Sequence, residues 1–229
     1  MSPARILAFD CTVDRFSALL AEGAQVRAER VRAAGTWRGE QVVGELAALL
    51  AGAGCDWRDL DLLAVAVGPG SFTGVRTAVA VARALALAAD RPVLAVSTLE
   101  AIAATARARH GLADFHAALA AGRGLVHLLP VVAGAPAETP VTVPATEPRR
   151  MLPAGSVLAG ARLERIADAL ADALRLLPVA PDARGVWAAA RARLSRGARP
   201  RPGHEVRPLY LRGPAADPAA GRPLVPQPA

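Results

Sequence analysis

Residues 61–89 constrain this chain more than any other stretch. Asp-Leu-Leu-Ala-Val-Ala-Val67 is an apolar run of strand length, suited to a sheet with both faces covered. It passes directly into Gly68-Pro-Gly-Ser-Phe-Thr-Gly-Val-Arg76, and that loop into a helical stretch ending ahead of Asp90-Arg91-Pro92. Residues 93–96 read as a further short buried strand. Ser97 or Thr98 caps the next helix, with Glu100 in its first turn. Strand, glycine loop, helix, strand, helix is an α/β pattern in which helices pack on a sheet.

The flanking segments extend that pattern. Residues 5–10, 16–20 and 25–31 read as three short strands in an antiparallel meander, the first ending in Asp10. From residue 40 to 50 the period changes. Val42, Val43, Leu46, Leu49 and Leu50 fall at helical spacing, and Gly52 and Gly54 end the helix. Beyond residue 108, residues 115–121 and 125–132 form a strand pair around Gly122-Arg-Gly124. A Pro-punctuated stretch follows, then a strand at 157–159 and helices at 163–177 and 186–194. The expected organisation is a first lobe over residues 1–108, a smaller lobe over 109–200, and a C-terminal segment over 201–229 whose last dozen residues are expected to be disordered.

Charge narrows the chemistry. The chain has 27 basic against 20 acidic residues, net +7, and all 27 are arginine. Without lysine there is no phosphate loop ending in Gly-Lys-Ser/Thr and no Schiff-base lysine. The arginine bias fits a genome rich in G and C. Cys11 and Cys55 set no disulfide framework, and the four histidines lack ligand spacing, so no metal site is expected. With no signal pattern and no uncharged apolar run of 18 residues, the expected location is the cytoplasm, away from membranes.

Four features could carry function. In the loop, Gly68, Gly70 and Gly74 free the backbone, Ser71 and Thr73 can cap the helix, and Arg76 adds a cation. This suits a phosphate- or nucleotide-facing loop, or simply a tight strand-to-helix connection. Asp10 is a candidate metal or nucleotide carboxylate, or a cap of its own turn, and Asp14 could share either job. Residues 75–89 are apolar all round apart from Arg76, Thr77 and Arg83. That helix is either central to the domain or covered by another chain. Residues 191–212 carry seven arginines and one glutamate, suited to a phosphate backbone or to a solvated tail. No Ser/His/Asp set and no paired carboxylates can be argued from spacing, which leaves a peptidase without a nucleophile.

Ile6-Leu-Ala-Phe-Asp10, Val67-Gly-Pro-Gly-Ser-Phe-Thr-Gly-Val-Arg76, Val96-Ser-Thr-Leu99 and Pro208-Leu-Tyr-Leu-Arg212 together resemble the TsaB (YeaZ) family. The resemblance implies an actin-like two-lobed fold of the sugar-kinase and Hsp70 class, with mixed sheets flanked by helices. It implies a non-catalytic subunit for making threonylcarbamoyladenosine in tRNA, forming homodimers alone and pairing with the catalytic paralogue TsaD. The ATPase TsaE then joins, TsaC supplies the threonylcarbamoyl-adenylate, and tRNA is met only through the complex. No cofactor of its own is implied, ATP or ADP being expected only at the partner interface. That interface would use the first-lobe helices, through Val42, Val43, Leu46, Leu49, Leu50, Val75, Ala78, Val79, Ala82, Arg83 and Ala86. The nucleotide-facing set would be Asp10, Gly68, Gly70, Ser71, Thr73, Gly74 and Arg76. The family's Asp-Ala-Arg-x-x-Glu-Val-Tyr stretch is replaced here by Ala120-Ala-Gly-Arg-Gly-Leu-Val-His127. The alternative on the same fold is a stand-alone ATP-dependent phosphotransferase, with Asp10 on magnesium.

Overall fold

The structure, a computed structural model, describes residues 4–170 and 174–211. The first lobe is a five-stranded sheet in the order β3-β2-β1-β4-β5, from Arg5–Asp10 (β1), Phe16–Glu22 (β2), Gln25–Arg32 (β3), Leu62–Ala66 (β4) and Val93–Val96 (β5). β1 to β3 form the expected antiparallel meander, whereas β4 and β5 run parallel to β1. Strand alternation divides the apolar residues between the two faces. Leu7, Phe9, Leu63 and Val65 face helices α1 (Val42–Gly52) and α2 (Phe72–Ala89). Ile6, Ala8, Leu62, Ala64 and Ala66 face the other way.

The second lobe holds a six-stranded sheet. Thr98–His110 (α3) leads into it through an αL Gly111 cap. The sheet runs in the order β11-β10-β6-β7-β8, from Phe115–Ala120 (β6), Leu125–Val132 (β7), Ala135–Pro136 (β8), Val157–Ala161 (β10) and Arg175–Pro178 (β11), with Val141–Pro144 (β9) also paired to β7. Short helices Pro148–Met151 (α4) and Ala167–Leu170 (α5) sit in its connections. α3 joins the lobes: Ala101 packs under the first sheet, and Leu99, Ile102 and Ala106 under the second. Two mixed sheets flanked by helices are the α/β architecture expected.

Two expectations need correction. The predicted helix over 163–177 is a single 3-10 turn at Leu163–Arg165, then α5, then the edge strand β11. Ile166, Leu170 and Leu174 do point into one core, but Pro178 disfavours helix at Leu177, and β10 offers a parallel partner from Val157↔Arg175 onward. Residues 171–173 lie outside the description. The second correction concerns the last helix, Ala183–Ser195 (α6), which was expected in the smaller lobe. It returns to the first sheet, where Ala183, Val186, Ala189 and Ala190 cover Ile6, Ala8 and Ala64. The segment after it stays on that lobe: Arg201 bridges Val93, and the Leu209 amide donates to the Val67 carbonyl at 2.8 Å. The expected tail disorder falls in 212–229, outside the described residues.

Candidate functional site

The glycine loop is a packed connection between backbones. A Cβ at Gly70 would lie 2.2 Å from the Thr12 carbonyl oxygen, one at Gly74 2.2 Å from that of Cys11, and one at Gly68 2.6 Å from that of Leu209. Gly68 also holds φ +107°, where side chains are strained. The Ser71 amide donates to Thr12 O at 2.7 Å, and Ser71 Oγ accepts from the Gly74 amide at 3.1 Å, capping α2. Thr73 lies exposed within the first turn of α2 and does not cap it. The side of each glycine where a side chain would stand is therefore filled by the chain's own β1–β2 turn and C-terminal segment. Of the expected nucleotide-facing set, Gly68, Gly70 and Gly74 thus lie against the chain's own backbone and Ser71 caps α2, whereas Thr73 and Arg76 are exposed.

Asp10 takes the turn-cap role. It is fully buried, and its Oδ1 accepts from the Thr12 amide at 3.0 Å and the Thr12 hydroxyl at 2.7 Å. Burial raises its pKa above the ordinary carboxyl value, against the lowering effect of those bonds. Asp14 does not share the site. Arg162 of the second lobe holds its carboxylate and lowers its pKa through their hydrogen bonds. A second tie between the lobes is Asp182, the cap of α6, which accepts from Gly185, Thr105, Arg15 and Arg109. Cys11 is buried against Gly74, and burial raises its thiol pKa. Among the described residues, no three His, Cys, Asp or Glu side chains converge as a metal cage would require.

The partner-interface residues predicted on α1 and α2 divide by face. Val42, Leu46, Leu49, Leu50, Val75, Ala78, Val79, Ala82 and Ala86 are buried within the lobe itself. Only Val43 and Arg83 of that set are exposed. The solvent face of α2 instead presents Phe72, Arg76, Ala80, Arg83, Ala84 and Leu87, of which Leu87 is 86% exposed and Phe72 61%. The missed signal was present in the sequence. Arg76 and Arg83 are seven residues apart and so mark one face; residues 72, 80 and 87 share it. By length and composition α2 could cross a membrane, yet its whole other face is packed into the core.

Phe72, Arg76 and Tyr210 form one cluster at the start of that face. The Arg76 guanidinium carbon sits 3.8 Å above the Phe72 ring, and Arg76 Nε donates to the Tyr210 hydroxyl at 3.2 Å. The Phe72 and Tyr210 rings lie 6.3 Å apart at 22°. The glycine-loop motif and the C-terminal motif of the resemblance thus meet in space. From this cluster the face continues along α2 to Leu87, and a shallow groove floored by Val43, Ala47, Leu85 and Ala88 separates it from α1.

A family model described as TsaD, tRNA N6-adenosine threonylcarbamoyltransferase, matches residues 39–134. The tRNA threonylcarbamoyladenosine biosynthesis protein TsaB of Escherichia coli is 40% identical over 79 residues, 34% of each chain. The Bacillus subtilis protein of the same name is 50% identical over 60 residues, 25% of this chain and 26% of its own. A tRNA N6-adenosine threonylcarbamoyltransferase of Methylobacterium sp. is 42% identical over 86 residues, 38% of this chain and 25% of its own. These matches thus span about a third or less of the relatives' own length. The fold likeness is far longer: YeaZ from Pseudomonas aeruginosa superposes with a TM-score of 0.79 at 26% identity, over 91% of this chain and 100% of that one. By sequence in part and by fold along almost its whole length, this chain is similar to the TsaB (YeaZ) proteins.

Proposed function

We propose that this chain is a non-catalytic subunit in the formation of threonylcarbamoyladenosine in tRNA, and that it holds a TsaD-type catalytic paralogue through the solvent face of α2. The observation that carries this reading is the row from the Phe72–Arg76–Tyr210 cluster to Leu87. A leucine 86% exposed beside alanines on a rigid helix is a surface whose burial against a second chain is favourable. Small residues at Ala80 and Ala84 permit close helix approach. Arg76 and Arg83 supply the arginines that interfaces favour. The same face serves the homodimer, so homodimer and paralogue compete for it. A TsaE-type ATPase joins the pair, any ATP or ADP sits only at the partner interface, and the assembly works in the cytoplasm, where tRNA is modified.

Co-purification with the paralogue tests this. Leu87→Glu puts a charge on the most exposed apolar residue of the face while leaving the core untouched. The paired yield should fall at least tenfold, with thermal unfolding unchanged within about 0.5 kcal/mol. Ala82→Glu, by contrast, buries a charge inside the lobe and should unfold the chain itself. Equal pairing by Leu87→Glu would sink the assigned face.

The stand-alone phosphotransferase reading has less behind it. Asp10 is sealed from solvent, Asp14 is held by Arg162, and the loop glycines touch carbonyl oxygens of the chain itself. Titration of the isolated chain with Mg-ATP should give no binding, and submicromolar binding would restore that reading.

A further inference from the structure

Of the arginines in the last helix and the segment after it, Arg201 lies beside the α2 face with Arg83 and Leu87, whereas Arg193, Arg196 and Arg207 line hollows elsewhere on the molecule. Two adjoining hollows run between α3, α6 and the β7–β8 turn, and on between the second sheet and the C-terminal segment. Glu100, Pro136 and Arg196 belong to both. The second hollow measures about 810 Å³. Arg107 lines the first hollow, Arg207 the second and Arg196 both.

These three guanidiniums are positioned but not neutralised. Gly134 (φ +75°) makes room for Arg107, since a Cβ there would lie 2.9 Å from its guanidinium atoms. Arg196 Nε donates to the Ala192 carbonyl at 3.2 Å, and Arg207 Nη1 donates to the carbonyls of His204 and Val206. None of the three has a carboxylate within 4.0 Å among the described residues. Of the two acids lining the groove, Glu100 is already taken by Arg193 at 3.3 Å and by the Ser97 amide. Glu138 is exposed on the rim. Between the arginines the lining is Ala104, Ala108, Ala188, Leu129 and Pro208, with no aromatic ring.

We infer that this groove binds the phosphodiester backbone of an RNA strand. A planar guanidinium with one edge fixed to a backbone carbonyl leaves the other edge for phosphate, which it meets in bidentate fashion. Arg196 and Arg207 are two such forks, and with the Arg107 guanidinium against Gly134 they suit a repeating anion better than a single phosphate. The absence of a stacking ring in its lining makes the recognition independent of base sequence. The choice of RNA among polyanions rests on the proposed role in tRNA modification. The choice of a polyanion rests on the groove alone.

The test uses the full chain without any partner, so that its failure is separate from failure of the pairing model. Binding of a 20-nucleotide oligouridylate and of an unmodified anticodon stem-loop is followed against salt. R107Q/R196Q/R207Q should weaken binding at least tenfold at low salt. It should also reduce the slope of log affinity against log salt by about 2, at roughly 0.7 per lost single-strand phosphate contact. R38Q/R58Q/R123Q, which removes equal charge elsewhere, should change the slope by less than half of that. If Arg107 proves necessary for folding, R196Q/R207Q carries the test with a slope change of about 1.4. Equal losses in the two triple variants, no RNA binding by the parent, or tighter groove-dependent binding of poly-L-glutamate than of RNA would each overturn the inference.

Discussion

The β4–α2 loop and the β6–β7 turn are both glycine-rich, and they do opposite things. In the first, each glycine is where it is because another stretch of backbone presses against it: Thr12 on Gly70, Cys11 on Gly74, Leu209 on Gly68. In the second, Gly122 and Gly124 have nothing within 4 Å of where a side chain would begin. Only φ +68° at Gly124 and +61° at Arg123 constrain that turn. The first loop therefore ties three separated parts of the chain together, whereas the second closes a hairpin and touches little. A glycine-rich segment says that a backbone must come close or turn sharply. It does not say whether the neighbour is a ligand or the protein itself.

The contrast can be broken most forcefully at Gly70. A methyl group there meets the Thr12 carbonyl, which must move and take the β1–β2 turn with it. Gly70→Ala should cost about 3 kcal/mol, which for a chain of this size lowers Tm by roughly 6 to 12 °C in calorimetry. A Gly70→Ala protein as stable as the parent would show that the contact is not a constraint.

A medium effect should separate the lobes by pH. His127, in β7 just beyond the open turn, is buried with its Nδ1 2.8 Å from the Thr142 hydroxyl, and burial pushes its pKa down to about 4. A histidine kept neutral by the fold contributes stability that is present above its ordinary value near 6.5. That stability is lost as pH falls from there toward 4, because the unfolded chain takes up the proton first. Denaturant unfolding of the parent should lose about 2 to 3 kcal/mol across this window, and His127→Asn should flatten that dependence. If both proteins respond alike, the second lobe's acid sensitivity lies elsewhere.

The smallest effect is expected at Gly122. Its backbone is not in the left-handed region and its surroundings are open, so Gly122→Ala should be neutral or stabilising by up to about 1 kcal/mol. A loss of more than 1 kcal/mol would mean that the turn packs against something and that the comparison with Gly70 is mistaken.

Much of the first lobe was legible because its elements are locally self-consistent. The meander, the apolar β4, the Ser97–Glu100 capping box and the family motif all depend on residues close in sequence. The second lobe was less so. Ile166, Leu170 and Leu174 keep helical spacing but serve a 3-10 turn, a four-residue helix and the entry to a strand. Which of these forms is decided by the free edge of β10.

The sequence by itself determined that α2 is a long apolar helix entered through a glycine loop, that no lysine chemistry is available, and which family the chain resembles. Only the tertiary structure decided which side of α2 is core and which is surface, because sheets and helices compete to cover one another. It alone revealed that α6 returns to the first lobe, that Tyr210 meets Arg76 across 134 positions of chain, and that Arg107, Arg196 and Arg207 share a groove. Such placements follow from long-range burial and strand pairing, which residue periodicity along the chain does not encode.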